Sequence, residues 1–169
     1  MGKIGKQLKE VFVERGECVA VAESATGGLV GSLVTDTPGA SDFFDRSVVT
    51  YTYDAKLQEL CVSREALDED GAVSDPVARE MARGVRDKAG TEWGVSTTGI
   101  AGPTGGTDEK PVGTVYVGVA YAGDWGTEAS YSTAERFVFD SERQRHELKR
   151  EFAEAALCEL LEEARSIRS

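Results

Sequence analysis

The sequence predicts an α/β fold: a layered α/β/α single domain, spanning residues 1–169, built around a mixed β-sheet. Three observations carry this. Short apolar runs of strand length alternate with helical patterns through the first hundred residues. Strands then follow one another directly near the C-terminus, so the sheet cannot be wholly parallel. A chain of 169 residues with no linker, repeat or low-complexity tract is of ordinary one-domain size and can bury a substantial core.

Taken in order, Ile4, Leu8, Val11 and Phe12 recur at helical spacing over residues 3–15, and Gly16 ends that helix. ECVAVAES is a buried-strand run that stops at Glu23-Ser24. Thr26-Gly27-Gly28 then opens a second helix, LVGSLVTD. A strand running into a Ser/Thr/Gly turn and a helix reads two ways: a site for an anion on free backbone N–H groups, or a plain turn with Thr26 as N-cap. Pro38-Gly39 breaks the helix ahead of Ser41. Ser47 to Tyr53 is strand-forming, Asp54 to Cys61 helical, and Ser63 caps a short helix that Gly71 closes. Ser74-Asp75-Pro76 is a strong helix start, with Val77, Met81 and Val85 on the inner face as far as about Lys88.

A strand over Gly94–Ile100 follows, then a loop holding five glycines and two prolines between Gly99 and Gly113, which must turn tightly or lie against a ligand. It carries neither Gly-Lys-Ser/Thr nor GxGxxG. Val112 to Tyr121 is a clear strand. Gly126 to Phe139 reads as one or two edge-like strands, and Ser141 caps a long last helix with Leu148, Phe152, Ala156 and Leu160 inside.

Composition excludes several classes. Thirty acidic against 19 basic residues give a net charge of −11, a surface that repels nucleic-acid phosphates. Ordinary solubility charge and salt adaptation both account for it. No apolar run approaches 18 residues and there is no signal-peptide pattern, so a cytoplasmic protein without membrane contact is expected. Three scattered cysteines and one histidine argue against a zinc site or a disulfide framework. His146 lies on a surface helix, so hydrolytic chemistry here needs another base. Ser41, Tyr51 and Lys56 bring a hydroxyl, a phenol and an amine to one short strand. By default Ser41 would be a helix cap, Lys56 a solvated amine, Tyr51 a half-buried strand residue, Thr98 a strand filler, and Glu23 and Lys110 surface charges.

In AESATGG (22–28), PGASDFFDRSVVTY (38–51), DAK (54–56), GAVSDPVAREMARGV (71–85), and TGIAGPTGG with EKPVGTV (98–115), the sequence resembles the CinA C-terminal domain family, the nicotinamide-nucleotide amidohydrolases. The match runs in order over nearly the whole chain, and a stand-alone form without the N-terminal domain of full-length CinA proteins is expected. The resemblance implies hydrolysis of the carboxamide of nicotinamide mononucleotide to nicotinic acid mononucleotide and ammonia, by serine-lysine chemistry with neither metal nor cofactor, in pyridine-nucleotide salvage. Carried onto this chain, it puts the nucleophile on Ser41 and the base on Lys56, with Tyr51 and Thr98 as supporting hydroxyls. Substrate binding falls on Glu23, Ser24, Thr26, Gly27, Gly28, Gly99, Gly102, Gly105, Gly106 and Lys110. A homo-oligomer is expected.

Two departures stand out: Ala25 where the family usually has Cys, and Tyr53 where YSNEAK would place a small amide. The runner-up is a non-catalytic module that binds a nucleotide or a partner protein.

Overall fold

The computed structural model describes residues 2–167. Its first strand is β1 (Val19–Glu23), every residue of which is buried. β2 (Phe44–Val49) and β3 (Trp93–Gly99) flank it in parallel. β4 (Thr114–Tyr121) pairs antiparallel with β3, and β5 (Tyr131–Val138) antiparallel with β4. The order is β2-β1-β3-β4-β5, a mixed five-stranded sheet with β2 and β5 at its edges.

The pleat of β1 explains the two layers. Val19 and Val21 point to one face, where α1 (Gly2–Arg15), α2 (Leu29–Thr35) and α6 (Arg145–Ser166) cover them with Leu8, Phe12, Val30, Val34, Leu148 and Phe152. Ala20 and Ala22 point to the other face. There α3 (Tyr53–Leu60), α4 (Arg64–Asp70) and α5 (Asp75–Ala89) close a smaller core around Leu60, Leu67, Val77 and Met81.

The small residues on that second face let α5 lie close to the sheet. A Cβ on Gly94 would sit 2.1 Å from the Ala82 carbonyl oxygen, and one on Gly118 2.3 Å from that of Ala78. Any side chain at either place would lift the helix off the sheet. No described helix is long and apolar enough to cross a membrane.

Several boundaries differ from the sequence reading, each for a local reason. β2 begins three residues earlier than expected and stops at Val49, because Thr52 caps α3 by accepting from the Ala55 N–H at 3.1 Å. β5 is one strand. α6 starts at Arg145 rather than after Ser141, since Gln144 and Glu147 form a reciprocal capping box there. α2 is capped by neither Thr26 nor any other local hydroxyl: its N-cap is Gly28, in the left-handed region.

Candidate active site

The three parallel strands end on one edge of the sheet, and the chain leaves β1 for β2 on one side and returns to β3 on the other. Such a switch point opens a crevice at the carboxyl ends of the strands. Ser24 follows β1 directly, Thr98 is the last residue but one of β3, and Tyr51 lies just beyond β2. The three line a cavity of about 270 Å³ with Lys56, Ala25, Ala72, Val73, the 99–105 segment of the glycine loop, and Arg145.

Lys56 sits on the first turn of α3 and is fully buried. Its Nζ donates to the Ser24 Oγ at 3.0 Å, to the Thr50 carbonyl at 2.7 Å and to the Tyr51 carbonyl at 3.2 Å. No carboxylate forms a salt bridge with it among the described residues, and burial brings its pKa down from 10.5 to about 8. Once neutral, the amine keeps two N–H groups for the two carbonyls and turns its lone pair toward Ser24. That is the geometry of a general base beside a hydroxyl nucleophile.

The structure does not bring Ser41, the expected nucleophile, to Lys56. Ser41 is exposed in a short 3-10 turn at the opposite end of β2, next to the Asp42–Lys9 ion pair at 3.2 Å. The six residues of β2 put roughly 20 Å of strand between that turn and the cavity. Ser24, expected only to bind substrate, is the hydroxyl that meets the lysine.

Glu23 is also placed otherwise than expected. It is fully buried, and its carboxylate accepts five hydrogen bonds. Oε2 takes the Thr26 hydroxyl at 2.6 Å and the Gly28 and Val30 N–H groups at 2.9 and 3.1 Å. Oε1 takes the Gly31 N–H at 2.9 Å and the Ser47 hydroxyl at 2.7 Å. The anion site at the start of α2 is therefore filled by the protein's own carboxylate, which takes the Gly28, Val30 and Gly31 N–H groups that a substrate phosphate would use. Thr26 is buried and shares a 2.7 Å hydroxyl contact with Thr97. Gly27 and Gly28 face a neighbouring cleft instead of the cavity.

In the glycine loop, Gly99, Gly102 and Gly105 line the cavity as expected. Gly106 does not; it packs against Val112, whose N would lie 2.7 Å from a Cβ there. Lys110 also stays outside the lining, its Nζ donating to the Asp70 carbonyl at 2.9 Å to tie the loop to the end of α4. Thr98 donates its hydroxyl to the Ala72 carbonyl at 2.6 Å, and Tyr53 accepts from the Ala72 N–H at 3.3 Å. Tyr53 thus braces one wall from behind, while Ala25 stands in the lining beside Ser24.

Arg145 was not anticipated. It donates to the Gly102 carbonyl and, at 3.1 Å, to the Tyr51 hydroxyl, so the phenol faces a guanidinium at the mouth rather than a serine. The signal for Arg145 was its setting near the start of the last helix, where a cation opposes the helix dipole. That for Ser24 was its place at the end of the most buried strand.

The fold and this crevice define an α/β/α domain with a serine-lysine pair at the carboxyl ends of its parallel strands. The chain belongs to the CinA C-terminal domain family, whose model matches residues 2–164. It is 52% identical to a "CinA-like protein" of Chlorobaculum tepidum over 158 residues, covering 91% of this chain and 36% of that one. For a second such protein, from Chlorobium limicola, the identity is 47%, with 92% and 34% covered. The chain therefore spans about a third of the length of these curated relatives.

Among solved structures, a competence/damage inducible protein of Agrobacterium tumefaciens superposes with a TM-score of 0.85 at 34% identity, covering 98% of this chain and 97% of its own. The competence damage-inducible protein A of Klebsiella pneumoniae does so with 0.88 at 27%, covering 99% and 98%.

Proposed function

We propose that the chain hydrolyses the carboxamide of nicotinamide mononucleotide, with Ser24 as nucleophile and Lys56 as base. The observation that carries the chemistry is the 3.0 Å approach of a buried, depressed-pKa amine to a serine hydroxyl inside a cavity. Ser24 Oγ attacks the amide carbon and its proton passes to Lys56 Nζ. The backbone N–H of Ala25, the residue that follows Ser24 in the cavity lining, is the proposed donor to the oxyanion. Collapse breaks the C–N bond, Lys56 hands its proton to the departing nitrogen, and ammonia leaves a Ser24 ester. A water molecule, deprotonated by Lys56, hydrolyses that ester to the carboxylate and restores the serine. The choice of substrate rests on family membership, and Arg145 at the mouth supplies a cation for its phosphate.

Ammonia release from nicotinamide mononucleotide tests this. Wild type is expected to turn over, Ser24→Ala and Lys56→Ala to lose about a thousandfold or more, and Ser41→Ala to keep full activity. Arg145→Ala should raise KM with less effect on kcat. Activity lost in Ser41→Ala and kept in Ser24→Ala would reverse the assignment. The relatives named for competence or damage induction support a second reading, a non-catalytic binding module. Binding of the nucleotide without turnover by any form would favour it.

A further inference from the structure

Beside the catalytic cavity lies a second cleft, of about 490 Å³, between the start of α2 and the first two turns of α6. Its lining includes His146, Lys149 and Arg150, together with Ser32 and the Thr26–Leu29 turn. On a helix, positions four apart are neighbours, so Arg145 with Lys149 and His146 with Arg150 form two adjacent rows of a broad basic stripe. None of the acidic Glu147, Glu151 and Glu154 lines the cleft, although Glu154 stands one turn beyond Arg150 and pairs with it.

The stripe runs against two general trends. The chain as a whole carries −11, and the first turn of a helix disfavours positive side chains. Arg150 is paired, to Glu154 at 3.0 Å, whereas Lys149 has no carboxylate partner among the described residues. The Lys149 ammonium lies over the α2 turn, 3.4 Å from where a Cβ on Gly27 would be. Glycine at that place keeps the cleft open beside the ammonium. The two cavities are contiguous in the chain on both sides: Ala25 lines the first and Thr26 the second, Arg145 the first and His146 the second.

We propose that this cleft is a second anion site, which takes a phosphate group of a nucleotide-sized ligand on Lys149, His146 and Arg150. It is carried by these side chains and not by the start of α2, whose N–H groups already hold the Glu23 carboxylate. The phosphate has two possible sources: a further phosphate on the substrate itself, reaching over the Ala25–Thr26 segment, or a separate nucleotide acting as effector.

The test is calorimetric titration of the protein with inorganic pyrophosphate at low ionic strength, where exposed charges are least screened. Wild type is expected to bind saturably. Lys149→Glu should weaken binding about tenfold or more, as the loss of a charge-assisted contact predicts. Lys149→Ala should fall between the two. Lys3→Glu, the same change of net charge on α1, should bind as wild type does.

No saturable binding, or an equal loss in Lys3→Glu and Lys149→Glu, would overturn the proposal, because the effect would then belong to net charge. Repeating the titration with nicotinamide mononucleotide present separates the sources. Competition marks the cleft as an extension of the substrate cavity, and independent binding marks an effector site. Turnover is not needed for any of these readings, so this site and the amidase assignment fail separately.

Discussion

At Lys56 the burial of a single amine lowers its pKa to about 8, which bears on the proposed reaction and on the pH dependence of folding alike. In the proposed mechanism the neutral form is the proton acceptor, so kcat/KM for nicotinamide mononucleotide should rise with pH through about 8 and then level off. The pH dependence of stability has the same origin. Between about 8 and 10.5 the lysine of the unfolded chain holds its proton while that of the folded chain has lost it. Unfolding in that window takes up a proton, so the fold gains stability as pH rises through it. Urea unfolding at pH 8 and pH 10 should show the gain on wild type. Lys56→Met should remove this contribution, and an identical pH response in the variant would refute it.

Among the elements, α2 depends most on one side chain. A seven-residue helix is too short to hold itself together, and Glu23 gathers three of its orphan N–H groups with the Thr26 and Ser47 hydroxyls. Glu23→Gln keeps the shape but sets an amide N–H₂ against donors on one side of the group. Leaving buried donors unsatisfied should lower the stability by about 2 kcal/mol or more, read as a reduced urea midpoint at constant slope. Because Ser24 adjoins Glu23, ammonia release should fall as well, chiefly in kcat. A variant as stable as wild type would show that the carboxylate does not hold the turn.

Over the whole molecule the −11 charge acts as diffuse self-repulsion within a compact body. Salt shortens the reach of that repulsion to roughly 3 Å at molar concentration. The melting temperature is therefore expected to be higher in molar KCl than in dilute buffer, as scanning calorimetry would show. A melt no lower in dilute buffer would make the acidic surface ordinary solubility charge.

The amino-acid sequence by itself determined the layered α/β/α class, nearly every element, and the family. Those are written in local periodicity, in caps such as Ser63 with Gly71, and in ordered motifs, all of which act over a few residues. It also singled out Lys56, Tyr51, Thr98 and the glycines of the 99–105 loop, now found around one cavity. What only the tertiary structure decided is which hydroxyl meets the lysine. Ser41 is 15 residues from Lys56 in the chain and Ser24 is 32, yet parallel pairing of β1 and β2 carries Ser41 to the far edge of the sheet and brings Ser24 to the near one. The same pairing turns Glu23 inward to close an anion site on itself, and the return of α6 across the sheet delivers Arg145 from the other end of the chain. Strand direction and register are long-range properties of the sheet, so sequence proximity could not rank these partners.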